Sequence, residues 1–197
     1  MSARAQKKFE PEETDGRRQR SDASRRKIAL AMLDLLREGE SDPSADAVAE
    51  RAGVGRRTVF RLFSDMEGVY REMHAAMTAR LMPQFNLPLV GRTWRERLDE
   101  IVERRAAIFE QMLPVKTAAD ARRYRSRFLT GEHRNITRFQ SESLRKVLPP
   151  NLAKGEAFEA LDLTLSFEAW RRLRHEQGLS VRQAQAVQRR LVGALVD

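Results

Sequence analysis

Between Ser44 and Phe63 the chain has room for two short helices and almost nothing between them, because only Gly53-Val54-Gly55 separates ADAVAERA from RRTVFRLF. Val48, Ala49 and Ala52 share one helical face of the first segment. Val59 and Phe63 lie one turn apart on the second. Ser44 is placed to cap the first helix. Gly53 suits the left-handed residue after a helix end, and Gly55 suits the next N-cap. Upstream, from Ser24, the positions Ile28, Ala31, Met32, Leu35 and Leu36 repeat at the spacing of one buried helix face, and Gly39 stops it. A helix braced against a helix, glycine turn and helix is the helix-turn-helix plan. In that plan the second helix of the pair enters the DNA major groove and its first residues reach base edges. Those residues are Arg56, Arg57 and Thr58. Arginine donates two hydrogen bonds to guanine in a fixed geometry, and threonine offers a methyl and a hydroxyl to a base or phosphate. Arg61 reads as a phosphate contact. The plain alternatives are a solvated face for Arg56 and Arg57 and a local cap for Thr58.

Helical spacing continues to the end of the sequence, with no strand-like alternation and no internal repeat. A fourth helix starts near Asp65 and reaches Leu81. A fifth runs from Thr93 to Met112, with Leu98, Ile101, Val102, Ile108 and Phe109 inward, and stops at Pro114. Residues 117–147 read as one helix or as two interrupted near Gly131, closed by Pro149-Pro150. A helix from Gly155 to Gln177 ends at Gly178, and a last one starts at Ser180. The expected fold is all-α, with about nine helices in a three-helix helix-turn-helix domain at 22–68 and a helical bundle at 69–197. Residues 1–21 are polar and mixed in charge, which predicts a flexible tail. Its Arg17, Arg18 and Arg20 read as solvated, with contact to DNA phosphates as the alternative.

Charge alone is a poor guide to the partner. The net charge is +9, which favours a polyanion. Residues 1–68, however, hold 14 basic against 13 acidic side chains, and residues 69–197 hold 23 against 15. The excess therefore lies outside the helix-turn-helix, and local pattern has to carry the DNA reading. With no cysteine, thiolate catalysis and cysteine-ligated zinc are excluded. The histidines His74, His133 and His175 have no metal-ligand spacing, and no phosphate loop or nucleophile elbow occurs. Glu156, Glu159 and Asp162 read as a solvated face. The expectation is a protein that is not an enzyme and needs no metal or cofactor. The absence of a signal peptide and of a long apolar run predicts a soluble protein of the bacterial cytoplasm, at the nucleoid when DNA-bound.

The stretch AERAGVGRRTVFRLFSDMEGV resembles the TetR family of bacterial regulators, and Arg26 to Glu38 resembles that family's first helix. The matching positions are Val48-Ala49, Ala52-Gly53-Val54, Gly55, Thr58, Val59, Phe60, Phe63 and Glu67. The resemblance implies a repressor that binds a palindromic DNA operator as a homodimer and is released by a small-molecule effector. It assigns DNA contact to Arg56, Arg57, Thr58, Phe60, Arg61 and Ser44, and to Arg26 and Lys27 of the first helix. Phe60, Leu62 and Met66 stand where many members carry Tyr, His or Tyr, and Lys, side chains that hold phosphates. Arg57, Arg61, Arg25, Arg26 and Lys27 are the candidates to compensate. If they do not, the alternative is a small-molecule-binding helical protein without specific DNA binding.

The C-terminal stretch from Leu161 to Val196 resembles the family's dimerising helices. It marks Leu161, Leu165, Ala169, Leu173, Ala184, Val187, Leu191 and Leu195 as interface, with Trp170 as core or interface. Candidate effector-pocket residues are Met73, Met77, Phe109, Met112, Phe128 and Phe167, residue types that are more often plain core. Lys116 to Lys146 holds 9 basic and 3 acidic residues. It reads as a solubilising surface or as a site for an anionic or amphipathic effector.

Overall fold

The computed structural model describes residues 12–197 and contains, among them, nine α-helices and no strand. The all-α expectation holds. The helices are α1 (Glu12–Arg37), α2 (Ala45–Ala52), α3 (Arg56–Leu62), α4 (Met66–Phe85), α5 (Trp94–Arg122), α6 (Arg127–Arg145), α7 (Gly155–Thr164), α8 (Phe167–Arg171) and α9 (Val181–Val196). The chain divides into two compact units, one ending at Ala76 and one spanning Met77–Asp197. The division falls inside α4 rather than at residue 68. None of the described helices is long and apolar enough to cross a membrane.

In the first unit α1, α2 and α3 pack on one another. Ile28, Ala31, Met32, Leu35 and Leu36 are all buried, as their spacing requires, and so are Val48, Ala49, Ala52, Val59 and Phe63. Helix α1 starts at Glu12, twelve residues before the apolar periodicity does. Residues 12–21 therefore extend a helix instead of forming a flexible tail, while residues 1–11 of that expectation lie outside the described residues. Apolar spacing reports only the buried part of a helix, and a polar extension leaves no such mark.

The second unit is organised around α5. Thr93 and Glu96 form a capping box at its start, each side chain meeting the other's backbone N–H. One core cluster gathers Ala106, Ile108, Phe109, Met112 and Leu113 of α5 with Leu81, Phe167, Trp170, Leu173 and Ala184. A second gathers Leu98, Ile101 and Val102 with Leu144, Leu148, Phe158, Leu161, Leu165 and Val192. Pro114 does not end α5, which continues to Arg122. The missing N–H and the ring clash cost about 3 kcal/mol. Burial of Met112, Leu113, Val115 and Ala118 on both sides offsets that.

One further break sits away from the glycine that suggested it, and another was not expected at all. Helix α6 runs through Gly131, and the chain breaks instead at the 3₁₀ turn Arg123–Arg125. There Ser126 caps α6 by accepting from the Leu129 N–H at 3.1 Å. The segment read as one helix from Gly155 is split at Leu165 and Ser166. Ser166 Oγ accepts from Ala169 N and donates to the Leu163 carbonyl. The chain then continues through α8 into a π-helical turn at Arg172–Glu176. Gly178, left-handed at φ 67°, follows that turn, and Ser180 with Gln183 caps α9.

Trp170 is fully buried, and its indole N–H donates to Glu110 Oε1 at 2.8 Å. Arg174 donates to both oxygens of the same carboxylate, at 2.8 and 3.0 Å. Burial pushes the Glu110 carboxyl up, but the bonds from Arg174 and Trp170 and the Arg174 charge outweigh it, so the group sits below its ordinary value. A depressed acid adds stability that is complete above the unfolded-state value and is lost as pH falls through the folded-state one. Glu110→Gln should therefore destabilise the protein near pH 7 by about 1 kcal/mol, a charged hydrogen-bond contribution reduced by solvent screening. In urea melts the difference should shrink below about pH 4.5, the ordinary value for this group. A gap that stays constant into acid would assign the loss to packing alone.

Candidate nucleic-acid interface

The turn between α2 and α3 is closed by backbone chemistry. Gly53 is left-handed (φ 61°, ψ 41°), its N–H donates to the Glu50 carbonyl at 2.9 Å, and the Val54 N–H donates to the Ala49 carbonyl at 2.9 Å. This pair is a Schellman closure of α2. At the other end Ser44 Oγ accepts from the Ala47 N–H at 3.1 Å, so Ser44 is a helix cap and is exposed. Gly55 is the N-cap of α3 and contributes no side chain. Asp65 then accepts from the Gly68 N–H at 2.8 Å and opens α4. Helices α2 and α3 are thus held by caps at both sides of a three-residue turn.

Arg56, Arg57, Phe60 and Arg61 are exposed on α3, and Thr58 is half-buried beside the buried Val59. The two leading arginines differ. Arg56 Nη1 pairs with Asp46 Oδ2 at 3.0 Å, and its guanidinium lies over the Phe60 ring at 5.6 Å. Arg57 has no ion-pair partner among the described residues. Phe60 keeps its ring in solvent, 42% exposed, where it supports Arg56.

Helix α1 contributes Arg26 and Lys27, both exposed. Lys27 is beside the turn: a Cβ built on Gly53 would stand 3.6 Å from its ammonium. Arg25 is half-buried, with its guanidinium over Phe63 at 4.9 Å. Arg51 grips both oxygens of Glu38 at 2.7 and 2.6 Å, tying the end of α1 to α2 and holding the Glu38 carboxyl below its ordinary value.

Sequence reasoning did not find Asp46. Its only trace is an acid in the first turn of α2, where helix-dipole arguments place acids anyway. Its proximity to Arg56 is a product of the turn.

The other candidate sites are distributed differently from their sequence grouping. Phe109, Met112 and Phe167 are in closed core, with Met77 packed against it. Met73 is buried in the first unit, and Phe128 is half-buried at the start of α6. Leu161, Leu165, Leu173 and Ala184 are buried within their own chain, in its two core clusters. An amphipathic face reads the same whether the chain's own core or a partner covers it. Val187 and Leu195 pack on the edges of the two clusters, and Ala169 is half-buried. Leu191 is 48% exposed, and Leu163 and Val181, which lie outside the expected interface set, are 69% and 36% exposed. His133 Nδ1 lies 3.1 Å from the buried Lys116 ammonium, which also holds Asp120 at 2.7 Å. Burial and the Lys116 charge lower the His133 pKa.

Gly53→Ala should destabilise the protein by about 1–2 kcal/mol in chemical denaturation, the cost of a side chain in left-handed backbone. The space for a methyl is there, so the loss is conformational. An unchanged midpoint would mean that the turn relaxes out of this geometry. No family model matches the sequence, and no curated protein matches it. Among solved structures, the chain is similar to a transcriptional regulator from Rhodococcus sp. Rha1, with a TM-score of 0.66 and 17% identity, over 88% of this chain and 96% of that one. It is also similar to a protein from Streptomyces coelicolor A3(2) provisionally named a transcriptional regulator, with a TM-score of 0.59 and 19% identity, over 86% and 98%. At such identities the likeness establishes a shared fold.

Proposed function

We propose that this protein is a sequence-specific DNA-binding transcriptional regulator of the TetR type, a ligand-responsive repressor that binds a palindromic operator as a homodimer. The observation that carries the reading is the capped α2–turn–α3 pair with Arg56, Arg57 and Arg61 exposed on α3 and Lys27 beside the turn. The regulators whose fold it shares support it. Arg57 and Arg56 read base edges, while Arg61, Arg26 and Lys27 neutralise phosphates. Leu163 of α7 and Val181 and Leu191 of α9 are exposed apolar residues that a two-fold contact would cover. An effector bound in the second unit favours the half-site spacing that mismatches the operator. By linkage the operator must weaken effector binding by the same factor.

Selection from random duplexes at about 0.15 M salt should enrich a palindrome, and Arg56→Ala/Arg57→Ala should abolish the enrichment. No enrichment by the wild-type chain would overturn the reading in favour of a ligand-binding protein without specific DNA recognition. Asp46→Asn should tighten operator binding by up to about five-fold, since an exposed pair is worth up to about 1 kcal/mol and Arg56 must leave it to reach DNA. Weaker binding would show that Asp46 positions Arg56 instead. Leu163→Glu/Leu191→Glu should sediment as a monomer where the wild type sediments as a dimer.

A further inference from the structure

Within the second unit, the end of α4, the loop after it, α5 and the C-terminal half of α6 line a half-open cavity of about 260 Å³. Its apolar wall is Phe85, Leu87, Leu89, Ile101, Phe139 and Val147. Phe85 and Phe139 meet edge to face, centroids 5.5 Å apart. Arg104, Arg105 and Lys146 also line it, against one carboxylate, Glu142. Three cations to one anion around an apolar volume is an unusual balance, and its cause is visible in the hydrogen bonds.

Arg105 is only 3% exposed and donates solely to neutral acceptors: the Leu165 carbonyl at 2.9 Å, the Gln140 carbonyl and Ser143 Oγ at 3.3 Å. Among the described residues no carboxylate stands within ion-pair distance of it, and Asp162 acts on it only from further away. Arg104 is likewise met by dipoles alone, the carbonyls of Phe85, Leu87 and Pro88. Lys146 is exposed at the rim and pairs with no acid among the described residues. A buried cation without a counter-charge favours an anion brought beside it, more strongly than one in water would. Apolar walls with a few convergent polar groups are the usual form of a small-molecule site.

We propose that this cavity binds a small carboxylate with an apolar body, the body against Phe85, Ile101 and Phe139 and the charge drawn to Arg105 and Lys146. At about 30 Å³ per water-sized volume, the space suits a ligand on the order of ten non-hydrogen atoms. Calling that ligand an effector rests on the regulator reading, but its binding does not, so the test contains no DNA.

Titration calorimetry on the full chain with octanoate, 1-octanol and octylammonium separates charge from apolar contact. Octanoate should bind one per chain, at least ten-fold tighter than octanol, and octylammonium should give no saturable heat. Arg105→Met should erase the preference for octanoate over octanol. Because that substitution also removes bonds within the fold, Lys146→Glu at the exposed rim is the second variant. It should weaken octanoate binding several-fold and leave octanol binding unchanged. No saturable octanoate binding, equal affinity for octanol, or unchanged octanoate affinity in Lys146→Glu would overturn the proposal.

Discussion

The second unit depends on what happens to one carbonyl. Helix α7 ends at Thr164, and the N–H of Ala169, which would have continued the ladder, bonds Ser166 Oγ instead. The Leu165 carbonyl is left in a fully buried residue without its helical donor. A buried carbonyl without a partner costs about 1–3 kcal/mol. Arg105 of α5 supplies the donor and, through its other nitrogen, binds the Gln140 carbonyl of α6. One guanidinium thus joins α5, α6 and the end of α7. Its planar fork is suited to two acceptors at once, which a lysine could not satisfy in the same geometry.

That solution leaves a charge in a low-dielectric place. Burial lowers the Arg105 pKa to about 10, still far above neutrality, so the side chain stays cationic. The same bonds that complete the helix end therefore create the electrostatic asymmetry of the cavity beside it. Arg104, one residue earlier, fastens the loop at 86–88 by the same chemistry and forms part of the cavity's wall. Structural need and binding capacity arise here from the same pair of residues.

The first unit is governed by a different constraint, the left-handed residue at Gly53. Because the turn is closed by backbone bonds, α3 is presented in one orientation and its exposed side chains have few intramolecular partners. The Arg56–Asp46 pair is the exception. It tempers the basic surface and sets Arg56 apart from Arg57. Net charge near zero in this part of the chain is compatible with a basic α3, since that helix carries three arginines and no acid.

Sequence alone determined the all-α class, the cap at Ser44, the helix starts near Thr93 and Ser180, and the glycine turn, because each rests on neighbours within a few residues. It also determined the buried face of α1, where apolar spacing has one reading. It misplaced the end of α5 and missed the break after Thr164. At Pro114 a local penalty was outweighed by packing on both sides, and at Ser166 a side chain took over a backbone bond. Four of the eight supposed interface residues became core, because an apolar face does not name what will cover it. Arg105 was invisible in the charged run VERRAA, where every arginine looks solvated. Only the tertiary structure decided which of them lost its water, because burial and charge pairing depend on residues 35 and 60 positions away.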